Sequence, residues 1–213
     1  MDANGDSASK DKRSRFVLRG QATYQSRLQF SWNANDPSRL SYNASMVRLE
    51  TVLDSWKSVR ADTVQALEDF PPGDLDFRPT ADLMTFRELA VHILQSGEAL
   101  TGMLAAGDSS FQGADARARM NSFARPLGEN PESGELARNL VESVTARSAE
   151  LAAKSPEFYA ETITRFDGAE VTRLEMLQFV KEHELTHRAQ MFLCLRLKGI
   201  VPPTTRRKMS AKK

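Results

Sequence analysis

The sequence predicts an all-α protein, a four-helix bundle with a long crossover between helices two and three and a small β-hairpin before helix four. Three observations carry this. Four segments place apolar residues at the i, i+3, i+4, i+7 spacing of an amphipathic helix. Two of them open on a T-x-x-E capping box. The stretch from 108 to 132 between the second and third is rich in Gly, Ser, Ala, Asn and Pro and shows no such spacing. A chain of 213 residues suits one such domain with length left for tails.

Residues 1–45 read as an N-terminal extension, partly disordered. The first dozen are mostly Ser, Asp, Asn, Gly and Lys, and Phe16 to Trp32 carries scattered apolar residues without a period. The bundle domain is expected over 46–203. Helix one runs from Met46 to Phe70, with Leu49, Val52, Leu53, Trp56 and Val59 on one stripe, and Pro71-Pro72-Gly73 ends it. A loop with Arg78-Pro79 follows. Helix two starts at a capping box of Thr85 and Glu88, with Met84 and Leu89 as its hydrophobic staple, and stops near Gly107. Helix three, from about Pro131 to Lys154, has the apolar face Leu136, Leu140, Val141, Val144 and Leu151. Short alternating runs on either side of Asp167-Gly168 predict the hairpin. Helix four spans Thr172 to Lys198, about 40 Å. It has a second capping box at Thr172 and Glu175, a stop at Gly199, and Pro202-Pro203 just beyond. Connection lengths favour helices one and two as antiparallel neighbours, and likewise three and four. Residues 204–213 read as a basic tail: five positive charges and no apolar pattern.

Composition excludes several classes. With 29 Lys and Arg against 28 Asp and Glu, the formal net charge is +1, so no nucleic-acid partner is expected. Mean hydropathy is −0.46. The apolar run Met191 to Leu195 is far short of the roughly 18 residues that cross a membrane. The single cysteine, Cys194, cannot form an intrachain disulfide, and the first fifteen residues lack an apolar signal core. A cytoplasmic location is the expectation.

The chemistry sits in the histidines. There are three, His92, His183 and His187. His183 and His187 are four apart in helix four, so they lie ~40° apart around the axis and one turn along it. Met176, Val180, Met191 and Cys194 share their face, which is therefore the buried one. His92 lies on the apolar face of helix two between Leu89 and Ile93. Taken alone, His92 reads first as a core histidine bonded to a carbonyl. Three imidazoles at bundle-facing positions favour a divalent metal site of the three-histidine type, with a coordination position left open. Glu184 falls ~80° from the pair. It is a candidate catalytic acid/base, an outer partner of a ligand, or a flank carboxylate paired with Arg188. Gln190 lies near the ligand direction. Arg188 is either an anion recogniser or a solvated charge. Cys194 is two turns past His187, ~10 Å along the axis, and reads as a small core residue.

His183-Glu184-Leu185-Thr186-His187 also spells H-E-x-x-H, the zinc-peptidase signature. The longer metzincin pattern fails, because Gln190 and Leu193 stand where it needs Gly and His. No Asp, Glu or His follows His187 to supply another ligand.

The segments Trp56, Phe77-Arg78-Pro79, Thr85 to His92, Phe166-Asp167-Gly168, His183 to Gln190 and Gly199 to Pro203 together resemble the DinB/YfiT-like superfamily over about 155 residues. The resemblance implies a four-helix bundle in which His92, His183 and His187 hold a divalent metal, zinc or nickel. It also implies a low-molecular-weight thiol as a further cofactor, a small-molecule substrate, no membrane partner, and a homodimer. The function it implies is a metal-dependent transferase or hydrolase. The alternative is a non-catalytic, stress-related metal-binding module.

Overall fold

The computed structural model describes residues 47–211. The extension read over 1–45 lies outside the described residues. Four long helices form the body: α1 (Leu49–Asp69), α2 (Phe86–Ala106), α4 (Ser133–Ala152) and α6 (Arg173–Leu197). Both capping boxes form. The Thr85 and Thr172 hydroxyls accept from the Glu88 and Glu175 backbone N–H groups, and each glutamate accepts in return from its cap's N–H. Gly107 ends α2 in the left-handed conformation, at φ 83°.

The helix pairing differs from the expectation. Both α1 and α2 pack against α4 and α6, so α1 and α2 stand diagonally across the bundle. Their connection is long enough for this because it is itself packed. Phe70, Leu75 and Phe86 are buried, and the Phe70 and Phe86 rings stack 3.7 Å apart. The Phe86 and Arg87 N–H groups bond back to the Phe77 and Leu75 carbonyls. The loop thus closes one end of the bundle as it crosses it.

The crossover contains α3 (Gly113–Asn121), with only Ala116 buried, and α5 (Pro156–Ala160) follows α4. The hairpin forms from β1 (Thr162–Thr164) and β2 (Glu170–Thr172), antiparallel with Ile163 opposite Val171. Its turn closes through Gly168 N–H to Arg165 C=O, with Gly168 at φ 86°. Ser109 and Phe111 bond to Thr164, clipping the crossover to the hairpin. Arg173 donates to the Gly107 and Asp108 carbonyls, holding the end of α2 to the start of α6.

The basic tail is a helix. α7 (Pro203–Ser210) opens on Pro203 and docks on α1 by charge: Arg206 meets Asp69 at 2.7 Å and Arg207 meets Asp62 at 2.6 Å. An apolar stripe is absent because ion pairs hold it. No helix among the described residues is long and apolar enough to cross a membrane.

The core has two apolar halves. One gathers Leu53, Trp56, Met103, Leu104, Met176 and Leu177; the other gathers Leu67, Phe70, Phe86, Leu94, Leu140 and Leu195. Between them each long helix carries polar or small residues: Arg60 and Thr63, His92 and Gly97, Ser143, and His183, Glu184 and His187. Gly97 leaves room for Arg60, whose Nη2 would lie 3.0 Å from a Cβ built there.

Candidate metal centre

The polar layer holds two clusters. The first is an ion pair in the middle of the bundle. Arg60 is 1% exposed and Glu184 3%. Arg60 donates from Nε to Glu184 Oε1 at 2.7 Å and from Nη2 to Oε2 at 2.9 Å, a bidentate pair. Its Nη1 donates to the Leu140 carbonyl. Trp56 Nε1 adds a 2.7 Å bond to Oε2, and Thr63 Oγ1 lies 3.0 Å from Oε1. Four donors therefore surround the Glu184 carboxylate. Glu184 is the residue that the sequence offers as a candidate acid/base. The residue is turned into the bundle toward α1, and its oxygens are occupied. Nor does Arg188 pair with it; Arg188 donates to Asp62 at 3.0 Å. Arg60 went unnoticed in the sequence. The signal was there, because it interrupts the apolar stripe of α1 at i+4 from Trp56.

The second cluster is the three histidines, brought together by α2 and α6 as the sequence predicts. His183 Nε2 lies 3.3 Å from His92 Nε2 and 3.2 Å from His187 Nε2. One ligand nitrogen from each ring falls within 4.8 Å of the others. The rings meet at steep angles, with centroids 4.5–5.1 Å apart. Gln190 Oε1 lies 2.8 Å from His187 Nδ1 and accepts its proton, which leaves the lone pair on Nε2. Ser96 Oγ sits 3.4 Å from both His92 Nδ1 and His92 Nε2.

The charge balance of this cluster is unusual. Burial lowers the pKa of His92, and the neighbouring His187 adds to the effect. Burial, then His187 and His92, brings His183 down to about 4, against a smaller opposing pull from Glu184. These two imidazoles are held neutral, the form that ligates a metal. A proton shared between two nitrogens can bridge only one pair, so three converging Nε2 atoms cannot all be satisfied by each other. A divalent ion satisfies them together. Two ligands bound tetrahedrally at 2.0–2.1 Å are about 3.3 Å apart, and the two separations from His183 are close to this. The residues present fit such an ion.

The surroundings are asymmetric. Toward the hairpin, Phe179 lies 6.1 Å from His183 and Phe166 stacks edge-on to Phe179, with the Arg165 guanidinium over both rings. On the other side of α2, a groove of about 600 Å³ opens on His92. There Arg87 is paired with Asp76, and Arg78 with Glu88. Cys194 is buried in the core, and burial pushes its thiol up.

Fold and cluster together define a class: a diagonal helical bundle with three converging imidazoles on two adjoining helices. The chain matches the DinB family over residues 43–212 and belongs to that family. No curated protein matches it. Among solved structures, a DinB-like protein of Bacillus subtilis is similar at 22% identity and a TM-score of 0.55, covering 70% of this chain and 92% of that one. YfiT of Bacillus subtilis, named a probable metal-dependent hydrolase with an unusual four-helix bundle topology, matches at 17% identity and a TM-score of 0.55, covering 75% and 92%. A mycothiol-dependent maleylpyruvate isomerase matches at 14% identity and a TM-score of 0.53, covering 68% and 61%. At these identities the likeness is one of fold.

Proposed function

We propose that this protein is a metal-dependent enzyme that holds one divalent ion, zinc or nickel, on His92, His183 and His187 and acts on a small molecule. The observation that carries the reading is the convergence of three Nε2 atoms with no protein donor to satisfy them all. An ion there supplies Lewis acidity, lowering the pKa of a water or thiol that joins it. The chain's own residues do the rest. Gln190 fixes the tautomer and orientation of His187. The Arg60–Glu184 pair anchors α6 to α1 one residue from His183. Phe179 and Phe166 shield one side of the cluster.

Because the Glu184 carboxylate is occupied by four donors, the reading favours thiol-dependent transfer over hydrolysis that relies on that carboxylate as a base. A solved isomerase of the same fold carries mycothiol dependence in its name, which supports a low-molecular-weight thiol as the second cofactor. The test is elemental analysis of tag-free protein purified without chelators, beside the His183→Ala variant. About one ion per chain, absent from the variant, is expected. Metal-loaded protein is then assayed for transfer of a thiol to electrophilic substrates. A metal-free wild type that refuses added zinc and nickel overturns the site. A loaded protein without turnover leaves a non-catalytic metal-binding module.

A further inference from the structure

The seam between α2 and α6 carries a second feature beside the histidines. Pro79, Leu83 and Met84 from the loop before α2, Leu89 of α2, and Leu193 and Cys194 of α6 enclose a mostly apolar pocket of about 170 Å³, with Asp82 on its wall. Gln190 also lines it. The same Gln190 accepts from His187 Nδ1 at 2.8 Å, so one side chain belongs to both the pocket wall and the histidine cluster. Leu89 precedes His92 by three residues, and Gln190 follows His187 by three. Pocket and cluster are therefore about one helical turn apart, ~4.5 Å along each axis. Leu83 is 42% exposed and Leu193 50%, so the pocket opens at the surface beside two half-exposed leucines.

We propose that this pocket is a subsite for the apolar group of the small molecule whose polar end reaches the histidine cluster. It rests on the metal reading above and adds the class of ligand: a compound with a short aliphatic or single-ring group of about six carbons. Size sets that limit, since an apolar cavity of about 150 Å³ holds one benzene. The thiol of Cys194 meets the ligand as an apolar wall, because burial keeps it protonated. Selection follows from the same walls. A longer chain runs out into water, and an anionic group in the pocket loses its hydration and meets Asp82 rather than a cation.

The test uses the zinc-loaded full chain and straight-chain alkyl hydroxamates from acetohydroxamate to octanohydroxamate, with binding followed by calorimetry. The expected result is a rise in affinity of up to about fourfold per added methylene as far as six carbons, then a plateau. Leu193→Asp and, separately, Leu83→Asp should abolish the rise and leave acetohydroxamate binding unchanged. Both positions are exposed enough for the fold to survive. A metal-free readout runs alongside. The Met84 methyl resonance, assigned with Met84→Leu, should shift with 1-hexanol and not with ethanol. Acetohydroxamate binding with no dependence on chain length overturns the pocket and spares the metal site. If no hydroxamate binds the zinc-loaded chain, the hexanol titration decides the pocket, and an unmoved Met84 methyl resonance overturns it. A change of oligomeric state in Leu193→Asp, with wild-type affinity flat along the series, makes the leucines a subunit surface and overturns the proposal.

Discussion

His183 and Glu184 are consecutive residues of α6, both polar and both inside a helical bundle. They differ in what meets them. About 100° of rotation turns Glu184 toward α1, where a guanidinium, an indole and a hydroxyl surround its carboxylate. His183 faces α2, and its Nε2 meets the imidazole nitrogens of His92 on α2 and His187 on α6, with no donor for all three. A buried polar group with every partner present locks one packing arrangement. Converging lone pairs that outnumber the donors near them form a receptor for a cation. One helix turn thus holds a structural device and a binding site, separated by the direction each side chain takes.

Breaking the saturated side should give the largest effect. Arg60→Met leaves Glu184 buried without its cation, and a loss of about 3–5 kcal/mol in urea unfolding is expected. The double variant Arg60→Met/Glu184→Leu should cost less than Arg60→Met alone, since no charge then stays buried unpaired. If the two changes simply add, the pair is not the coupled unit described above.

The open side should respond to metal instead. At free zinc a thousandfold above the dissociation constant, wild-type stability should rise by about 4 kcal/mol. His183→Ala should erase that rise while unfolding near the metal-free wild type. Arg60→Met, lacking stability but retaining all three histidines, should keep its zinc dependence. Thermal unfolding of these three proteins with zinc and with a chelator checks the separation directly.

A smaller effect concerns how α6 is started. Thr172→Ala removes the hydroxyl that accepts from Glu175 N–H, and about 1 kcal/mol should be lost. Both clusters lie more than two turns into the helix, so zinc stoichiometry should hold at the wild-type value. A drop in metal content would mean that the end of α6 sets the position of its histidines.

These contrasts also show what was legible in the sequence. The ends of α2 and α6 were, because a capping box is local: residues three apart settle it. The histidine cluster was, because i, i+4 spacing on an apolar face places two side chains together wherever the helix packs. The diagonal placement of α1 and α2 was not. It depends on Phe70, Leu75 and Phe86 packing under the bundle end, and connection length alone cannot report that. The short helices α3 and α7 carry no apolar stripe; α7 is held by Arg206 on Asp69 and Arg207 on the buried Asp62 of α1. The partners of Glu184 went unseen for a similar reason. Its helical angle put it at a flank, and only the long side chain of Arg60, reaching in from α1, makes that flank the centre of the bundle.

The smallest expected effect separates saturation from burial. Asp167 resembles Glu184 in having its oxygens occupied, here by the Arg165 guanidinium at 2.6 and 2.9 Å and by the Ala169 N–H. Unlike Glu184 it faces water, with 46% of its side chain exposed. The Arg165 hydrogen bond, helped by the Ala169 N–H, brings its pKa down to about 2 from the ordinary 3.8. A carboxylate with a depressed folded pKa stabilises the fold above its unfolded value and loses that contribution as pH falls through the folded one. Asp167 should therefore contribute an acid limb between about pH 4 and pH 2, and Asp167→Asn should flatten it. Solvent screening keeps the limb shallow. Acid titration of stability in the two proteins measures it. A limb as steep as the loss in Arg60→Met would show that saturation by itself, without burial, is enough to lock a turn of this chain.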